Sequence, residues 1–106
     1  MEDIMIVVRL VFQAKWGKAD EAVNDFKKLA EQMEQNAASI VRARILTDLS
    51  GPFHTVVQEL EVESLAEWER LRASMFNNPE FQELQTNLEN PYESGRTEFY
   101  TLEATY

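Results

Sequence analysis

The chain has 106 residues and contains no cysteine, a single histidine, three glycines and three prolines. The absence of cysteine excludes disulfides, zinc–thiolate sites, iron–sulfur ligation and thiol catalysis, and it fits a reducing cytoplasm. One histidine is too few for a zinc site, which needs three or four protein ligands. Haem, which asks for only one axial histidine, stays open on that count but has no support elsewhere in the chain. No cofactor is therefore expected. Basic side chains are also scarce, 10 against 19 acidic ones, for a net charge of −9. Such a balance repels phosphate backbones and anionic lipid surfaces, so neither nucleic acid nor a membrane is an expected partner. The apolar stretch Ile4 to Phe12 is interrupted by Arg9 and is too short to span a bilayer. Met1-Glu2-Asp3 before it lacks the basic start of a secretory signal.

What is present is an ordinary soluble, globular composition, 44% hydrophobic and 27% charged. No linker or low-complexity tract divides the chain, which reads as one domain over residues 1–106. A chain of this size buries only roughly two-thirds of its unfolded surface, so a dimer interface would add usefully to a small core.

Ile4, Ile6, Val8, Leu10 and Phe12 alternate with Met5, Val7, Arg9, Val11 and Gln13, which predicts a strand from Ile4 to Gln13 with two largely apolar faces. That pattern suits a central strand covered on both sides. After Trp16-Gly17, Ala22, Phe26, Leu29, Ala30 and Met33 recur at helical spacing and predict a helix from Lys18 to about Gln35. Asp25, Lys27, Lys28, Glu31 and Glu34 make its wet face. Two further strands are expected over Ile40–Leu49 and Phe53–Val62, joined by a turn at Ser50-Gly51-Pro52. Opposing Leu49 to Phe53 sets Asp48 against His54 and Arg44 against Gln58, a register that a one-residue slip would invert. Ser64-Leu65-Ala66-Glu67 is a capping box that starts a second helix burying Leu65, Trp68, Leu71 and Met75. Asn78-Pro79 restarts a helical segment with Phe81, Leu84 and Leu88 as its stripe. Asn90 to Gly95 reads as a loop, and Thr97 to about Ala104 as the last strand.

The order is β-α-β-β-α-β, which predicts an α+β, ferredoxin-like fold: a four-stranded antiparallel sheet with both helices on one face. The other face is left bare, and a second copy of the chain is the expected cover.

Few residues stand out as chemical. His54 is the only histidine, the side-chain type suited to acid–base work near neutral pH, and an Asp48–His54 pair would orient its ring, making these two the catalytic candidates. The competing reading is a surface histidine at a hairpin tip. Arg9, Arg42 and Arg44 lie in strands, where a guanidinium fork can hold a carboxylate or carbonyl. Pairing with Glu59, Glu61 or Glu98 across strands is the alternative. Trp68 is either a core anchor or the wall of a pocket between helix and sheet, and both hold if the core contains a cavity. Trp68, Arg44 and Arg9 are the ligand-binding candidates; no metal site is expected.

The run Ser64-Leu65-Ala66-Glu67-Trp68, followed by Asn78-Pro79-Glu80-Phe81-Gln82, resembles the second helix of NIPSNAP-like proteins. Over nearly the whole chain the element order is similar to the wider superfamily of dimeric α+β barrels. The resemblance implies a homodimer in which two sheets face each other, with the helices outside. That superfamily includes cofactor-free antibiotic-biosynthesis monooxygenases and haem-degrading enzymes. In its oxidative members a tryptophan similar in position to Trp68 lines a pocket between sheet and helices. Many of these also carry a histidine later in the same helix, where this chain reads Arg72-Ala73-Ser74-Met75-Phe76. The departure argues against oxidative or haem chemistry here.

Two functions of different class follow. One is a homodimeric binding protein for a small apolar or aromatic metabolite. The other is a cofactor-independent monooxygenase or isomerase acting on a small aromatic or acidic metabolite, with Trp68 as pocket wall, His54 as acid or base, and Arg44 or Arg9 polarising a carbonyl.

Overall fold

A strand that is apolar on both sides belongs in the middle of a sheet, and Ile6–Ala14 (β1) is paired on both edges. The computed structural model describes residues 5–36, 40–86 and 90–106. After β1 come α1 (Ala19–Asn36), β2 (Ile40–Thr47), β3 (Thr55–Val62), α2 (Leu65–Phe76), α3 (Pro79–Thr86) and β4 (Tyr92–Thr101). The strands form one antiparallel sheet in the order β2-β3-β1-β4. The helices pack on one face of it, giving the ferredoxin-like α+β fold.

Alternation decides which side chains meet the helices. Val8 and Leu10 of β1 and Leu60 and Val62 of β3 are buried with Trp68 and Leu71 of α2 in one cluster. Ala14 and Val56 are buried with Ala22, Phe26 and Leu29 of α1 in a second, and Phe12 touches both. Ile4 and Leu88, expected to point inward, lie outside the described residues, as do the side chains of Met33 and Leu84.

The helix starts follow their capping residues. The Ser64 hydroxyl accepts from the Glu67 backbone N–H at 3.2 Å, while the Glu67 carboxylate turns to Arg70 at 2.6 Å. Asn78 caps α3 through the Glu80 N–H at 2.9 Å, with Pro79 in the first helical position. Leu65, expected in the core, is instead 51% exposed. It is the first residue of α2, and the stripe that turns to the sheet begins one turn later with Trp68.

Two extra residues correct the sequence-derived register of β2 on β3 and the start of the last strand. Ile40 pairs with Val62, but Arg42 pairs with Glu61, leaving Val41 as the unpaired residue of a bulge. Beyond it Arg44 stands opposite Glu59, not Gln58, and Ile45 takes the place beside Gln58. Asp48 therefore faces Thr55 and not His54. The Asp48 N–H donates to the Thr55 carbonyl at 3.1 Å, and an Asp48 carboxylate oxygen accepts the Thr55 N–H at 3.0 Å. These bonds close the strand pair before His54 is reached, and the proposed Asp48–His54 pairing is not formed.

The second extra residue is Glu93. Gln13 pairs with Ser94 and Ala14 with Tyr92, so β4 begins five residues earlier than its β-branched and aromatic run suggests. The bulge turns Tyr92 to the helix side, where its ring lies 5.1 Å from Phe12 and stacks 5.8 Å from Phe26. Gly95 is a strand residue and not part of a loop because the Phe12 ring lies across it. A Cβ at Gly95 would sit 2.5 Å from two ring carbons of Phe12. Phe12 is held by Phe26 and Tyr92, so it has little freedom to yield. Gly95→Ala should cost about 1–3 kcal/mol, as overpacking does, and a denaturant titration would show it as a lower midpoint at unchanged slope.

Candidate functional site

Between the helix side of the sheet and the three helices lies a cavity of about 420 Å³. Its size falls in the lower part of the roughly 300–1,000 Å³ range usual for small-molecule sites. Phe12, Phe26 and Tyr92 form one wall, Trp68 and Met75 of α2 another, and Phe76 and Phe81 a third. The Phe76 and Phe81 rings meet edge to face at 5.2 Å. Trp68 is only 5% exposed and also touches Phe99 edge to face at 6.3 Å. Both readings of Trp68 thus hold together: it anchors the core and borders a cavity.

The cavity is not wholly apolar. Gln58 of β3 borders it at 0% exposure, and neither its Nε2 nor its Oε1 has a hydrogen-bond partner among the described residues. Arg72 stands at the rim with its guanidinium 4.6 Å from the centre of the Phe76 ring, and Glu93 of the bulge is on the same lining. The Tyr92 hydroxyl donates to the Asp25 carboxylate at 3.4 Å. Burial, more than this bond, governs Asp25: desolvation raises its carboxyl above the usual aspartate value against the opposing effects of Tyr92 and Lys28. Desolvation also pushes the Tyr92 phenol up, helped by the Asp25 charge, so it stays neutral. Asp25 is therefore not simply a wet-face residue of α1.

The strand arginines sit on the opposite side of the sheet. Arg44, Glu59, Arg9 and Glu98 form a row across β2, β3, β1 and β4. Arg44 pairs with Glu59, whose other oxygen lies 3.2 Å from Arg9 Nε, and Arg9 Nη1 lies 3.7 Å from Glu98. Arg96 adds a 2.7 Å contact to Glu98, and the Tyr100 hydroxyl donates to it at 3.0 Å. Arg42 stands opposite Glu61 in the next row. The Arg9 and Arg44 guanidinium groups are thus engaged by glutamates on the face away from the cavity.

Hydrogen bonds from Arg96 and Tyr100, and the charges of Arg96 and Arg9, hold the Glu98 carboxyl below the usual glutamate value. A carboxyl lowered by folding stabilises the fold above its unfolded pKa, and the gain is lost as pH falls through the lowered value. Glu98→Gln should therefore flatten the acid limb of the stability–pH curve below about pH 4.5, the ordinary glutamate value, in parallel urea titrations.

His54 lies at the end of the sheet, in the left-handed region with φ 63°. Its carbonyl accepts the Ala14 N–H at 2.8 Å, and its ring packs edge to face on exposed Trp16 at 5.0 Å. His54, Asp48, Arg9 and Arg44 are none of them on the cavity lining; Trp68 is. Gln58 and Tyr92 are the lining residues the sequence reading passes over. A signal exists for Gln58, a polar residue in step with inward-facing Val56 and Leu60. Among the described residues no cluster of histidine, aspartate and glutamate is arranged to hold a metal, and no helix is long and apolar enough to cross a membrane.

No protein-family model matches the sequence, and no curated protein does. Solved structures do match in fold. An uncharacterized NIPSNAP-like domain protein from Burkholderia xenovorans superposes with a TM-score of 0.77 at 20% identity, over 99% of this chain and 90% of that one. A NIPSNAP family protein of unknown function from Agrobacterium tumefaciens gives 0.75 at 14% identity, over 96% and 91%. A protein from Shewanella oneidensis gives 0.74 at 17% identity, over 95% and 93%. The fold is that of NIPSNAP-like proteins, as the resemblance in α2 implies.

Proposed function

We propose that the chain is a soluble, cytoplasmic homodimer that binds a small apolar or aromatic metabolite between the sheet and helices of each subunit. The observation that carries this reading is the aromatic-walled cavity of about 420 Å³ beside Trp68. The dimer draws its support from the bare sheet face. There the alternating Arg44–Glu59–Arg9–Glu98 row is flanked by the exposed side chains of Leu46 and Tyr100. A patch with both signs of charge and exposed apolar side chains beside it is self-complementary under a two-fold axis, where each arginine of one copy can meet a glutamate of the other. The monooxygenase or isomerase alternative loses the polar groups assigned to it, because His54, Arg9 and Arg44 stand away from the cavity. Of the titratable groups on the cavity lining, Tyr92 is held neutral by burial and Glu93 is exposed.

Thermal-shift screening with small aromatic compounds tests the binding half: ligands that fit raise the melting temperature, and a panel that moves nothing removes the reading. Sedimentation tests the other half, with a dimer expected at micromolar concentration and a compact monomer counting against it.

A further inference from the structure

We propose that the cavity selects a neutral aromatic ring bearing one group that donates and accepts hydrogen bonds, a phenolic hydroxyl or a carboxamide, turned toward Gln58. The inference rests on the cavity being a ligand site and specifies what that site reads.

Gln58 is the polar side chain of the cavity that is fully buried, and both ends of its amide lack a partner among the described residues. Its opposite neighbours in the sheet, Leu10 on β1 and Ile45 on β2, have nothing to offer it. An unpaired buried amide is unfavourable, so a ligand that pairs with it gains more than the same bond would give in water. The amide has no exposed surface in the free chain, so a ligand reaches it by displacing the side chains that cover it, and the soft last torsion of the glutamine then sets which end faces the ring. The amide offers one donor end and one acceptor end, and a hydroxyl or carboxamide answers whichever end is turned.

The rest of the wall fixes the ligand's other properties. The stacked Phe26 and Tyr92 rings, with Phe12 against both, and the Trp68 indole favour a flat aromatic body. Its charged lining groups, Arg72 and Glu93, are of opposite sign and exposed, so the mouth selects no net charge. Inside, among the described residues, no charge stands ready to balance an ionised ligand, so the buried end is neutral.

The test uses phenol, benzamide and toluene on the 15N-labelled full chain, followed by NMR. Phenol and benzamide should shift the Gln58 side-chain amide pair and bind about five- to tenfold more tightly than toluene, the ratio set by one neutral hydrogen bond. In Gln58→Leu the preference should vanish or reverse in favour of toluene. Gln58→Met, which keeps the side-chain length, repeats that arm if the leucine variant does not fold. Toluene binding as tightly as phenol to the native chain, or a phenol preference that survives both substitutions, overturns the role of Gln58 and leaves the cavity a ligand site. No shift with any of the three overturns this inference and the ligand site together.

Discussion

Trp68→Ala should lower the unfolding free energy by about 3–5 kcal/mol, the usual loss for a large buried aromatic. That is a substantial part of the roughly 5–15 kcal/mol available to a domain of this size. The expectation comes from where Trp68 sits: it is 5% exposed and packs with Val8, Leu10, Leu60, Val62 and Leu71, the cluster that fastens α2 to the sheet. Its removal would also join the vacated volume to a cavity already of about 420 Å³. A collapsed site would blunt the loss, but the neighbouring wall is made of mutually packed rings that cannot follow. Urea denaturation read by circular dichroism measures the change. Emission from Trp16→Phe isolates Trp68, whose spectrum should be blue-shifted as befits a buried indole. A loss under 1 kcal/mol would mean that α2 is not anchored by this ring.

The fold was legible because its information is periodic. Two-residue alternation in Ile6–Ala14, helical spacing from Ala22 to Leu29, and the caps at Ser64 and Asn78 all act locally and in step. Bulges break that step without a residue-type signature. Val41 is as good a strand former as its neighbours, so nothing marks it as the residue left unpaired. The consequence is large, because one added residue exchanges partners along β2: it moves Arg44 to Glu59 and Asp48 to Thr55. At Glu93 the same kind of shift brings Tyr92 under α1, and a glycine that looks like a turn proves to be the seat of Phe12. Trp68 could be placed from sequence because its site follows from one helix face. Gln58 shares the inward step of Val56 and Leu60, but its meaning depends on the neighbours that register assigns: beside Arg44 it would be a charged group's partner, and beside Ile45 it is an orphan. Arg9 and Arg44 show the same limit. They lie on different strands, and only the pairing of three strands reveals that they share a face with Glu59 between them.

Gln58→Leu should stabilise the free protein, in contrast to most substitutions at a wholly buried site. A buried amide left unpaired carries a desolvation penalty of about 1–3 kcal/mol, and replacing it with an apolar side chain of similar volume removes that penalty. Leucine would face Leu10 and Ile45 across the sheet and add apolar area beside Trp68. For a domain of this size each 1 kcal/mol raises the melting temperature by roughly 4–8 °C, well within reach of a thermal scan. The sign is the informative part. If Gln58 were a structural group bonded within the native chain, leucine would strand its partner and destabilise the fold by a similar amount. A rise in stability joined to a loss of phenol binding would mark Gln58 as a residue kept at the expense of the fold, which is the signature expected of a group that reads a ligand. A fall in stability would assign the amide to the scaffold and leave the cavity lined by packing residues alone.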